Sequence, residues 1–207
     1  MHFLNCITHS IKIKKINIRY HNYYNTKILK NYYDLKKNVG IVIITVPHNK
    51  ESSAKIEILD CILPRDYEAE FLESGYRGLL ILKSKINSDE IVDILKECPT
   101  AYVYRVIPVD MIVESNISSI LKAIIELIKG RTGRIKIECH RRGKVISSAH
   151  ELKVIIGEKL KELGYKIDFR NPDFLLFINV IGEKTAITFG SPNRIIKKLS
   201  LNSLGNI

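Results

Sequence analysis

A chain of 207 residues with 45% hydrophobic residues and a net charge of +11 is long enough for two small domains with ordered cores. Its longest apolar stretch, Gly40 to Val46, falls far short of the roughly 18 residues of a transmembrane helix, so no membrane partner is expected. The charge is uneven: residues 1–38 hold eight basic residues against one acid, residues 39–130 ten against fourteen, and residues 131–207 fifteen against seven. Two basic ends around an acidic middle point to a polyanion met by those ends.

Cys6, Cys61, Cys98 and Cys139 are scattered, with no Cys-x-x-Cys pair. They give no support to a disulfide framework or a zinc site, and a reducing cytoplasm is the expected location. Cys139 and His140 would point to opposite faces of a strand, so they cannot share one metal, and none is expected.

Residues 1–38 are rich in Ile, Lys, Asn and Tyr and lack glycine and proline. A tail whose tyrosines stack bases and a transit peptide are both possible readings. The favoured one is a basic, poorly ordered extension. Val39 to Val46 is a β-branched run ending at Pro47, a buried strand. Ser52 to Cys61 has helical spacing through Ile56, Leu59 and Ile62. Glu68 to Glu73 and Tyr76 to Leu82 read as strands around Ser74-Gly75. Ser88 to Cys98 reads as a helix with Ser88 as N-cap, and Ala101 to Ile107 as a strand. The order βαββαβ is that of a ferredoxin-like split unit.

Ile117 to Lys129 is an amphipathic helix with Ile117, Ile120, Leu121, Ile124, Ile125 and Ile128 on one face. Arg134 to His140 alternates as a strand, with Ile135, Ile137 and Cys139 inward. Ser148 to Leu163 is the clearest helix: Ser148 and Glu151 have capping-box spacing, Leu152, Ile155, Ile156, Leu160 and Leu163 form its stripe, and Gly164 closes it. Phe174 to Ile181 is apolar throughout, a central strand covered on both faces. A turn at Gly182 leads to a last strand, Thr185 to Phe189. Residues 191–207 read as a tail or a short extra helix.

The segment from His140 to Ser148 places Arg141, Arg142 and Lys144 in a loop that opens a capped helix. The unpaired N–H groups of that helix, with the hydroxyls of Ser147 and Ser148, suit a phosphate. A second segment, Asp168 to Asp173, contains Asn171-Pro172, a turn initiator that Asp168 or Asn171 could fix. Glu68, Glu70 and Glu73 form an acidic cluster, read as a solvated strand edge rather than a catalytic dyad.

Arg141-Arg142-Gly143, then Ser147-Ser148 opening a helix with Glu151 and Gly157, then Asp168, Asn171, Pro172 and Asp173 before an apolar strand, resemble the THUMP domain, an RNA-binding module of tRNA-modifying systems. Tyr104 to Val109 resembles the strand and proline leading into it. The resemblance covers about residues 101–190 and implies an α/β (α+β) protein, with a ferredoxin-like domain at 39–112, a THUMP domain at 113–190 and a tail at 191–207. It also implies tRNA as partner. The residues expected to meet RNA are Arg134, Lys136, Arg141, Arg142, Lys144, Ser147, Ser148, Lys153, Arg170 and Asn171.

Fewer than twenty residues follow Phe189, and there is no glycine-rich nucleotide loop or His/Cys/Cys zinc signature. The expectation is therefore a protein without a catalytic centre or cofactor. By layout it resembles the stand-alone THUMP adaptors that present tRNA to a cytidine acetyltransferase. The runner-up is a detached RNA-binding subunit of a sulfur transferase or methyltransferase, and a third reading is an enzyme with an unrecognised centre.

Overall fold

The computed structural model describes residues 39–198, so the extension expected at 1–38 and the end of the tail lie outside the described residues. Strand β1 (Gly40–Thr45), helix α1 (Glu51–Ile62), strands β2 (Glu70–Leu72) and β3 (Leu79–Ser84), helix α2 (Ser88–Glu97) and strand β4 (Arg105–Pro108) follow the βαββαβ order. They pair antiparallel in the spatial order β4-β1-β3-β2, the split unit read from the sequence. Val42, Ile44, Leu80, Leu82 and Val106 meet Ala54, Ile58, Ile62, Ile91 and Leu95 of the two helices in one core.

Polar side chains shorten or shift several of these elements. The N-cap of α2 is Asn87 rather than Ser88: its side-chain Oδ1 accepts from Glu90 N–H at 2.9 Å. The strand expected from Ala101 starts at Arg105, because the N–H groups of Ala101 and Tyr102 bind the Glu57 carboxylate instead. In α1 the buried stripe is Ala54, Ile58 and Ile62, while Ile56 is 63% exposed. The acidic edge is tied by ion pairs, Glu70 to Lys83 and Glu68 to Lys85.

The cysteine expectation is corrected. Cys61 and Cys98, 37 residues apart, form a disulfide with a Cα–Cα distance of 6.2 Å. Helices α1 and α2 pack side by side and bring their C-terminal ends together, which sequence spacing does not reveal. Cys139 is the free cysteine among the described residues, and burial pushes its thiol up to about 11.

The second sheet holds strand β5 (Met111–Glu114), strand β6 (Arg134–Arg142), strand β7 (Lys166–Ile167), strand β8 (Phe174–Ile181) and strand β9 (Lys184–Gly190), in the order β5-β9-β8-β6-β7. Helices α3 (Ile117–Ile128) and α4 (Ala149–Glu162) cover one face, with Ile120, Ile124, Leu152, Ile156 and Leu160 against Ile135, Ile137, Leu176, Ile178 and Ile187. Ile117, Ile125 and Leu163 of the expected stripes are exposed instead. Because β5 pairs with β9, Met111 and Ile112 belong to this sheet, and the change of sheet falls between Pro108 and Met111.

Strand β8 is central and buried from Leu175 to Val180, as read from its composition. Phe177 of β8 and Thr188 of the neighbouring β9 meet residues of the first domain. The Arg105 guanidinium lies 5.6 Å from the Phe177 ring centre, and Thr188 donates to the Pro108 carbonyl. The segment after β9 is not only a tail: a 3-10 turn (Pro192–Arg194) leads to strand β10 (Ile196–Lys197), which pairs with β4 and extends the first sheet.

Asp66 fixes the β2–β3 side of the first domain. Its carboxylate accepts from Ser84 Oγ at 2.6 Å, Lys85 N at 2.7 Å and Glu68 N at 3.0 Å. The Ser84 bond, helped by the two backbone N–H groups and opposed by burial, holds its pKa below the ordinary value. Asp66→Ala is expected to cost about 3 kcal/mol in urea unfolding at neutral pH, since it orphans three donors. A folded pKa below the unfolded one stabilises above the unfolded value of roughly 3.9, and this contribution disappears as pH falls through the folded value. The gap between Asp66→Ala and the parent should therefore narrow below about pH 4. A gap that is constant with pH would exclude this role.

Candidate nucleic-acid interface

Eight of the ten residues expected to meet RNA fall at two ends of one strand, while Lys136 lies along it and Lys153 on α4. β6 runs from Arg134 to Arg142, eight steps of roughly 3.3 Å, so its ends are about 26 Å apart. Gathered at the first end are Arg134, Arg170 and Asn171; at the far end are Arg141, Arg142, Lys144, Ser147 and Ser148.

At the first end, Arg134 is a staple. Its Nε and Nη2 donate to the two Asp173 carboxylate oxygens at 3.0 Å each, and its backbone N–H donates to Oδ2 at 2.8 Å. That guanidinium holds the Asp173 carboxyl down to about 2. Asp168, not Asn171, closes the turn, accepting from Arg170 N at 2.8 Å and Asn171 N at 3.1 Å. The side chains of Arg170 and Asn171 remain exposed. Lys136 is engaged by Glu138 at 2.9 Å.

At the far end, Gly143 turns the chain with φ +91°. A Cβ there would lie 2.6 Å from the Tyr76 hydroxyl, so the first domain packs directly on the loop. Arg141 Nη1 donates to the Gly143 carbonyl at 2.5 Å, and both Arg141 and Lys144 are exposed. Arg142 is half-buried, which lowers its pKa, though a guanidinium keeps its charge. Ser148 caps α4 by accepting from Glu151 N at 3.2 Å, while Ser147 donates to the Glu151 carboxylate at 2.9 Å. Arg141 and Arg142 thus sit at the end of β6 rather than in the expected loop, and Arg141 and Lys144 put two exposed cations in the chain that leads into the positive end of a 14-residue helix.

Several neighbours have no local signal in the sequence. Lys153 lies 5.3 Å from the centre of the exposed Phe169 ring. His140 stacks on Phe177 at 5.0 Å, with Arg105 also against that ring. Burial, together with Arg105 and Arg142 and against the pull of Glu138, pushes the His140 imidazole below its ordinary pKa, toward its neutral form. Burial pushes the Glu138 carboxyl up, but Lys136, Lys197 and Arg105 outweigh it and leave the pKa lowered. Arg105 and Lys197 thus join this face from the first sheet, through pairings that no local motif announces. Among the described residues no group of three His, Cys, Asp or Glu could hold a metal ion, and no helix is long and apolar enough to cross a membrane.

Residues 114–189 match the model of the THUMP domain. A protein of Finegoldia magna named "Probable tRNA sulfurtransferase" is 31% identical over 140 residues, which cover 64% of this chain and 35% of that protein. An uncharacterised protein of Methanocaldococcus jannaschii is 28% identical over 128 residues, 60% of this chain and 34% of that one. The matched regions thus span about a third of each curated relative. A crystal structure of a Pyrococcus horikoshii protein superposes with a TM-score of 0.55 at 16% identity, covering 76% of this chain and 55% of that one. A 4-thiouridine synthetase solved with RNA and ATP gives 0.51 at 17% identity, covering 77% and 42%. These two structures share the fold.

Proposed function

We propose, for a chain that carries a THUMP domain at residues 114–189, that it binds tRNA without catalysing a reaction and presents it to a separate modification enzyme, a cytidine acetyltransferase forming 4-acetylcytidine. The observation that carries the binding step is the pair of exposed cations, Arg141 at the end of β6 and Lys144 in the loop that leads into the capped start of α4, whose positive end also favours a phosphate. A second reading, a binding subunit for a sulfur transferase, is favoured by the likeness to the Finegoldia protein.

Nucleoside mass spectrometry of tRNA from a strain lacking the gene separates the two. Loss of 4-acetylcytidine with other modifications intact is the expected outcome; loss of 4-thiouridine would replace the acetylation reading with the sulfur-transfer one. Purified protein incubated with tRNA and labelled acetyl-CoA or S-adenosylmethionine is expected to leave the RNA unlabelled, and label transfer by this chain alone would overturn the non-catalytic role.

A further inference from the structure

We propose that the Cys61–Cys98 disulfide is a thiol-exchange site, open to neutral and cationic small-molecule thiols and shielded from anionic ones. The site is independent of the RNA-binding reading. Both cysteines are part-exposed, and the bond between them lies in a surface groove of about 510 Å³. A thiolate in that groove reaches a sulfur while the first domain stays folded.

The groove is electrostatically one-sided. Glu90, Asp93 and Glu97, on one face of α2, line it together with the guanidinium of Arg65. Cys61 stands in the last turn of α1, and Cys98 caps the C-terminal end of α2, so the negative ends of two helices add to the three carboxylates. The last turn of α1 holds no basic residue to offset its end. At α2 the Lys198 ammonium, bound to the Cys98 carbonyl, offsets part of it. Exchange proceeds through a thiolate, so an anionic reductant adds its own negative charge to that of the attacking sulfur, whereas a cationic one cancels it.

In the first step a thiolate bonds to one protein sulfur as the Cys61–Cys98 bond breaks, and the released sulfur takes a proton from water. A second thiol resolves the mixed disulfide, leaving two protein thiols and the oxidised small molecule. The fold has a place for the reduced pair. The Cys61 sulfur lies 3.0 Å from the Glu57 carbonyl oxygen, an acceptor for its thiol proton. The segment after Cys98 stays tied to α1, because the Glu57 carboxylate holds the N–H groups of Ala101 and Tyr102, and Thr100 accepts from Lys198.

The test reduces the oxidised full chain at low salt with glutathione, 2-mercaptoethanol or cysteamine at equal thiolate concentration. Trapping with iodoacetamide, followed by peptide mass spectrometry, reads Cys61 and Cys98 over time. The rate is expected to rise in proportion to thiol concentration. Cysteamine should exceed glutathione by at least about tenfold, with 2-mercaptoethanol between them. Glu90→Gln, Asp93→Asn and Glu97→Gln combined, or salt at about 1 M, should shrink that ratio to about threefold or less. A rate that levels off with thiol concentration would mean that the bond opens only when the domain unfolds, and it overturns the exchange site. Equal rates for the three reductants, or an order untouched in the triple variant, overturn the charge shielding. Trapping of both cysteines before any reductant is added overturns the bond itself.

Discussion

Replacing Arg141 and Arg142 together with alanine is expected to weaken tRNA binding by about 30- to 150-fold, the loss of two charge-assisted contacts of roughly 1–1.5 kcal/mol each. If each arginine neutralises one phosphate, the slope of log affinity against log salt should flatten by about 0.7 to 0.9 per residue. Arg142 is half-buried, so its stem also packs, and a parallel thermal melt is needed to show that the fold survives. Lys197 and Lys198 are unsuitable as the charge-matched control. Lys197 belongs to the cation group around Glu138, and the Lys198 ammonium is bound to the Cys98 carbonyl and Thr100. Lys55→Ala with Lys96→Ala serves instead, since both are exposed on the helices of the first domain. Equal losses from the two double variants would remove any special role for the loop.

Arg194→Ala is expected to cost about 2–4 kcal/mol of stability, measured by urea unfolding. Its guanidinium is bidentate to Asp89 of α2 at 2.8 and 2.9 Å, and bidentate to Asp110, between the two sheets, at 2.9 Å. It also donates to the Phe189 carbonyl at the end of β9. One side chain thus ties the first domain, the crossover and the second sheet. Asp89 is more than half exposed, so its share is discounted for solvent screening, and the Asp110 half dominates. Arg194→Lys keeps the charge but cannot fork, and should recover less than half of the loss. A change below about 0.5 kcal/mol for Arg194→Ala would show that the sheets are held without it.

The elements legible in the sequence were those whose cause is local. β1 and β8 are β-branched or apolar runs that can only be central strands, and α4 carries its own cap and stop, Ser148 and Gly164. The elements misjudged depend on distant partners. Glu57 captures the N–H groups of Ala101 and Tyr102, forty-four and forty-five residues away, and so delays β4. β10 has two residues, too few for any period, and exists because β4 offers an edge. The disulfide needs two helix ends to meet.

The candidate site followed the same division. The basic loop and the turn were visible as motifs, but their separation along β6 was not. Nor was the diversion of Arg134 to Asp173 and of Lys136 to Glu138, because a charged residue in sequence does not show its partner. Phe169 lies within the turn motif, but its contact with Lys153 is not readable there, and Tyr76, Arg105 and Lys197 carry no motif. Only the fold brings Tyr76 to the loop and Arg105 and Lys197 to the outer face of β6.

Binding of the full chain to deacylated tRNA and to a blunt DNA duplex of equal nucleotide count, titrated across a salt series, tests RNA recognition most directly. At about 0.15 M salt the tRNA is expected to bind at least about tenfold more tightly than the duplex, with most of that advantage lost in the Arg141→Ala, Arg142→Ala variant. Equal affinities for the two polyanions, falling together as salt rises, would mean that the chain is a nonspecific basic surface and not an RNA-binding module.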